Sequence, residues 1–154
     1  VLRVKGFREV IGNYNQDKTD GRIEIVDVQE GGGLQSEGMK ATSAAIQKHM
    51  DLAGIFAIND PSALGAFAAI QKAGKVEEIA IVGFDASPSG KRAVFEKKIY
   101  DSPQQFPRKM ATGTVDAFIA YLEGKEVLKN NFIDCEHYYY TDSIKDPNRV
   151  KEQW

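Results

Sequence analysis

The stretch from 54 to 85, GIFAINDPSALGAFAAIQKAGKVEEIAIVGFD with its flanks, constrains the fold more than any other part of the chain. Residues 54–58 (GIFAI) and 79–84 (IAIVGF) are short, almost uninterrupted apolar runs. Such runs are expected of strands buried on both faces of a parallel sheet. Between them Asp60-Pro61 reads as a helix start, with Asp60 as N-cap and Pro61 at the first helical position, where its missing N–H costs nothing. Gly74 closes that helix, and Lys72 and Lys75 lie near its negative end. The result is one βαβ unit with Asn59, Asp60 and Asp85 at the carboxyl ends of its strands. Open α/β sheets take their ligands at that edge.

The flanks extend the pattern. Val4, Phe7, Val10, Ile11 and Tyr14 recur at helical spacing over residues 2–15, and residues 23–28 (IEIVDV) read as a strand followed by the loop QEGGG. Met39, Ser43, Ile46 and Met50 mark one face of a helix over about 36–50. Ser87-Pro88 repeats the cap-then-proline device and opens a helix to about Lys97 or Lys98. A short strand at 99–102, a connector with two prolines at 103–107, a helix from Pro107 to about Leu122 ended by Gly124, an aromatic strand at 132–140 and a polar tail complete the chain. The fold class is therefore α/β, a three-layer αβα sandwich with a mainly parallel sheet.

The chain opens on a helix where this pattern wants a strand. In a sheet of order 2-1-3-4-5 that strand lies between residues 23–28 and 54–58. Leaving it out would expose two rows of backbone hydrogen-bonding groups. The chain is thus expected to be the later part of a longer protein.

Composition narrows the function. Twenty basic against 22 acidic side chains leave a net charge of −2, and no basic cluster points to nucleic acid. No apolar run reaches the roughly 20 residues that span a bilayer. The lone Cys135 has no partner for an internal disulfide and stands outside metal-ligand spacing with His49 or His137, so it reads as a small buried or half-buried strand residue. No G-x-S-x-G elbow occurs. The loop QEGGGLQ follows a strand, but it matches neither the P-loop nor the dinucleotide pattern and reads as a flexible connection.

Four motifs in combination carry a family resemblance: R-x-x-G-F at residues 3–7, a strand ending in Asn59-Asp60 with A-L-G at 63–65, G-F-D at 83–85, and Q-F-P at 105–107. Together they resemble the second half of the type I periplasmic sugar-binding proteins, the ribose-binding class, whose cores are shared with LacI-type repressors. The resemblance covers residue 3 to about residue 140. It implies a C-terminal lobe of a two-lobe protein, with residues 1–106 forming most of that lobe without its first strand. Residues 107–134 would return to the N-terminal lobe, and 135–154 would hold the last crossover strand and tail. The implied function is non-catalytic capture of a monosaccharide such as ribose for uptake by an ABC transporter. The implied partners are the sugar, a permease and the missing N-terminal lobe. No enzyme activity, cofactor or nucleic-acid partner is implied, and the implied location is periplasmic or otherwise extracytoplasmic.

The resemblance also assigns the ligand residues Arg3, Asn59, Asp85 and Gln105. Each suits the chemistry: an amide both donates and accepts, and a carboxylate accepts from two adjacent hydroxyls in charge-assisted bonds. Asp60 is expected to serve as the cap, and Phe84 to pack in the core. Relatives often place a sugar-stacking aromatic after the strand at 23–28, where this chain has Gly31, Gly32 and Gly33. Either the other lobe supplies the stacking surface, or backbone N–H groups replace it, or the ligand is not a typical aldose. The alternative of a LacI-type effector core is set back by Val76-Glu77-Glu78, which replaces that group's V-P-x-D segment. An enzyme on a flavodoxin-like fold ranks lower still.

Overall fold

In a computed structural model, which describes residues 2–147, the chain folds as α1 (Leu2–Asn15), α2 (Gln35–Lys48), β1 (Gly54–Phe56), α3 (Asp60–Lys72), β2 (Ala80–Val82), α4 (Pro88–Phe95), α5 (Pro107–Leu122) and α6 (Tyr140–Ser143). β1 and β2 pair in parallel, with Gly54 opposite Ala80 and Phe56 opposite Val82. This is the expected βαβ unit. A third extended stretch continues the sheet through parallel bridges from Val82 to Asp101 and from Asp85 to Gln104. A fourth runs antiparallel beside it, bridging Asp101 to Tyr139 and Gln104 to Glu136. The strands expected at 99–102 and 132–140 are thus present as isolated bridges rather than full ladders. Pro103 lies inside the third stretch and has no N–H to contribute.

The core is built from α3, the two strands and α4, with Ala63, Ala66, Ile70, Ile79, Ile81, Ala93, Val94 and Ile99 all buried. α2 lies against α3. Its fully buried residues are Gly38, Thr42 and Ile46; of the stripe expected from spacing only Ile46 is fully buried, Met39 and Ser43 are half-buried, and Met50 lies past the helix end, 81% exposed. The reason is close helix approach. A Cβ on Gly38 would stand 2.6 Å from the Ser62 carbonyl oxygen, and one on Gly65 would run into the backbone of Gln35. Small residues therefore decide which face meets the neighbour. On the other side of β1, Phe7 of α1 stacks on Phe56 with ring centroids 4.4 Å apart.

Two further expectations are corrected. Residues 23–28 form no strand, because among the described residues no neighbouring backbone pairs with them. Asn15 instead brackets Ile23, accepting from its N–H at 2.8 Å and donating to its carbonyl at 2.7 Å, while Asp27 pairs with Lys48 at 3.3 Å. Cys135 is exposed rather than buried. α5 starts at Pro107 as expected but buries none of its residues, and Phe118 is 60% exposed.

Candidate functional site

The carboxyl edge of the sheet gathers three of the four expected ligand residues. Arg3, in the first turn of α1, reaches across the edge. Its Nη1 donates to the carbonyl of Ile58 at 2.8 Å, and its Nη2 pairs with Asp85 Oδ1 at 2.8 Å. Gln105, from the connector after the third extended stretch, donates its side-chain N–H to the same Oδ1 and its backbone N–H to the Asp85 carbonyl at 3.2 Å. Phe84 is half-buried, not in the core. The Arg3 guanidinium lies over its ring, 4.1 Å from the centroid, an arrangement that fixes the plane of the fork. The Arg3 and Asp85 side chains keep 28% and 14% of their surface exposed. The cluster is therefore charge-balanced and open, and the Arg3 and Gln105 side chains both meet the Asp85 carboxylate at Oδ1.

Asn59 stands beside this cluster, next to the Ile58 carbonyl that Arg3 holds. Its amide takes the capping role expected of Asp60. Oδ1 accepts from the Ser62 N–H at 3.0 Å and so caps α3, while Nδ2 donates to the Gly33 carbonyl at 3.0 Å. That second bond explains the glycine loop. Gly33 has φ +71°, and a Cβ there would stand 3.1 Å from Asn59 Nδ2, so the loop settles on the asparagine only with glycine in place. Each amide atom still has one further hydrogen-bonding capacity.

Asp60 is not the cap. It is the first helical residue and fully buried, and its carboxylate accepts three bonds from distant parts of the chain. Ser87 N and Ser87 Oγ each donate to Oδ2 at 2.7 Å, and Ser102 Oγ donates to Oδ1 at 2.6 Å. Burial pushes the Asp60 carboxyl above the ordinary aspartate value of 3.8, against the opposing pull of the Ser102 and Ser87 bonds. The bonded loop is the one that presents Asp85. Asp85 and Ala86 have φ of 111° and 46°, conformations that cost a non-glycine residue about 1–3 kcal/mol each. Ser102 was missed in the sequence because its partners lie 42 and 16 residues away and no local pattern marks it.

Two other polar groupings lie off this edge. Asp101 is buried and accepts from the Tyr138 N–H at 3.1 Å, with His137 Nδ1 2.7 Å from its other oxygen. The nearly buried Lys91 pairs with Asp146 at 3.2 Å, which ties α4 to the turn after α6. Among the described residues no group of His, Cys, Asp and Glu is arranged to hold a metal ion.

The described elements form a parallel α/β lobe that carries a charge-balanced Arg–Asp–Gln cluster at its carboxyl edge. The chain belongs to the periplasmic binding protein domain family, whose model matches residues 1–126, and it is of the type I sugar-binding kind. It is 34% identical over 134 residues to the ribose import binding protein of Escherichia coli, a match covering 87% of this chain and 43% of the relative. It shares its fold, at a TM-score of 0.84 and 23% identity, with the periplasmic component of the arabinose ABC transporter from Shewanella, solved with bound L-arabinofuranose. That superposition covers 97% of this chain and 49% of the other. A ribose operon repressor from Halalkalibacterium halodurans is 34% identical over 100 residues, covering 56% of this chain and 30% of the repressor. The chain spans about half the length of the relatives it matches.

Proposed function

We propose that this chain is the ligand-contacting part of a solute-binding protein that captures a monosaccharide of the ribose class, without catalysis, and delivers it to an ABC importer outside the cytoplasm. The observation that carries this reading is the charge balance of the site. Arg3 and Asp85 neutralise each other, so the cluster has no net attraction for an ion, yet it keeps donors and acceptors in reach of solvent. A neutral molecule with adjacent hydroxyls uses such an array fully: Asp85 Oδ2 accepts, the remaining N–H groups of Arg3 donate, and the amides of Asn59 and Gln105 do either. Residues 107–134 return to a second lobe, which also covers the apolar face of α5. Closure of the two lobes about the sugar creates the form that the permease recognises.

Thermal-shift measurements on the whole protein against aldoses, ketoses and polyols test this reading. A melting rise confined to one or a few monosaccharides is expected, and no rise with any of them removes it. The repressor relative supports a second reading, an effector-binding core. Specific binding of the whole protein to operator DNA would favour it. The import reading ranks first because the import protein matches 87% of this chain against 56% for the repressor.

A further inference from the structure

Asp60 is fully buried and beyond the reach of a ligand at the sheet edge, and Asn59 already caps its helix. Neither contact with solute nor capping explains a carboxylate there. Its partners do. Asp60 follows β1, Ser87 follows β2, and Ser102 belongs to the third extended stretch, so one carboxylate ties together the carboxyl ends of three adjacent strands.

The direction of each bond follows from counting protons. A serine hydroxyl has a single proton to give. Ser102 Oγ gives its proton to Asp60 and must therefore accept from Ala86 N, 2.9 Å away. Ser87 Oγ gives its proton to Asp60 as well, so it accepts from Gly90 N at 3.1 Å and from the Ser89 hydroxyl. Two successive amides after Asp85 are thus held, Ser87 directly by Asp60 and Ala86 through Ser102. These are the residues of a turn whose φ values at Asp85 and Ala86 local preference does not select. The surroundings are shaped for the carboxylate. A Cβ on Gly83 would stand 2.8 Å from Asp60 Oδ1, and one on Gly90 would collide with the carboxyl group itself.

We propose that Asp60 and Ser102 are positioning residues for ligand binding: together they set the backbone at 85–87 so that Asp85 meets Arg3, Gln105 and the solute in one geometry. The proposal rests on the reading of Asp85 as a ligand acceptor and adds residues that touch no ligand. Removing a buried, fully bonded carboxylate leaves its donors unpaired, so the arrangement around it is held as one unit.

The test uses the whole protein as wild type, S102A, D60N and D85N. Hydrogen exchange is followed at the Ala86 and Ser87 amides, and calorimetry is run with D-ribose, D-allose and L-arabinose in turn. Exchange is expected to quicken by roughly tenfold at Ala86 in S102A and at Ser87 in D60N. Affinity for the bound sugar is expected to fall roughly tenfold in both. General destabilisation leaves the affinity of the folded protein unchanged, so affinity separates positioning from mere support. Unaltered exchange at both amides overturns the proposal. So does quickened exchange with undiminished affinity in S102A and D60N while D85N loses binding. If D85N binds like wild type, or none of the three sugars binds, the ligand reading of Asp85 for these sugars fails, and the exchange rates alone decide whether Asp60 sets the turn. S102A keeps the test sharp if D60N does not fold.

Discussion

Replacing Asp60 by alanine separates the two roles a carboxylate at this point of the chain can have. As an N-cap its loss would cost about 1 kcal/mol. The structure gives the cap to Asn59 and gives Asp60 three accepted bonds from Ser87 and Ser102. A hydrogen bond to a charged group contributes about 1.5–3 kcal/mol, and a donor left unpaired away from water costs about 1–3 kcal/mol. The burial that raises the Asp60 pKa offsets part of the gain, and release of strain at Asp85 and Ala86 offsets more. The balance is a loss of about 3 kcal/mol, roughly a hundredfold in the unfolding equilibrium. Asn59→Ala, which removes the cap and one bond to the Gly33 carbonyl, should cost about 1–2 kcal/mol. Urea unfolding of the whole protein at neutral pH measures both. If Asp60→Ala costs no more than Asn59→Ala, the three-strand tie carries no weight in the fold.

The other expectations share the same network. Gly90→Ala should cost about 1–3 kcal/mol by overpacking, because the new methyl displaces the Asp60 carboxyl; urea unfolding within a few tenths of a kcal/mol of wild type would refute the packing described. Asp60→Asn should change how stability varies with pH. The folded pKa of Asp60 lies above 3.8, so its titration contributes stability that is full below 3.8 and is lost as pH rises through the folded value. Wild type should therefore compare best with Asp60→Asn at the acid end and lose ground across that window. Urea midpoints over a pH series check this, and the opposite trend would sink it.

The parallel βαβ unit was legible because its signals are local: two apolar runs, a proline near the helix start and a glycine at its end. The cap slipped by one residue because Asn59-Asp60-Pro61 offers two capping side chains in succession, and only the buried demand from Ser87 and Ser102 draws Asp60 away from the role. Arg3, Asp85 and Gln105 were identified by resemblance, and the structure brings them into contact. Their support was not legible. Ser102 reaches Asp60 across 42 residues, and the fit of Gly83 and Gly90 against a carboxylate exists only in three dimensions. Spacing also misjudged α2 in part: the small residues Gly38 and Thr42 are its fully buried positions beside Ile46, while Met50 lies past the helix end and is exposed. Residues 23–28 look like a strand, but a strand needs a neighbour, which the described residues do not supply. The tail expected at 141–154 begins with α6, and its part beyond 147 lies outside the described residues.

The central claim is that the Arg3–Asp85–Gln105 cluster is where a neutral sugar binds. Calorimetric titration of the whole protein and its Asp85→Ala variant with D-ribose, D-allose and L-arabinose tests it most directly. Wild type should bind at least one of the three, and the variant should bind that sugar at least roughly tenfold more weakly, as expected for loss of a charge-assisted bond. The variant's far-ultraviolet circular dichroism should stay that of the wild type. Equal affinity in the two proteins would remove Asp85 from the site and contradict the account.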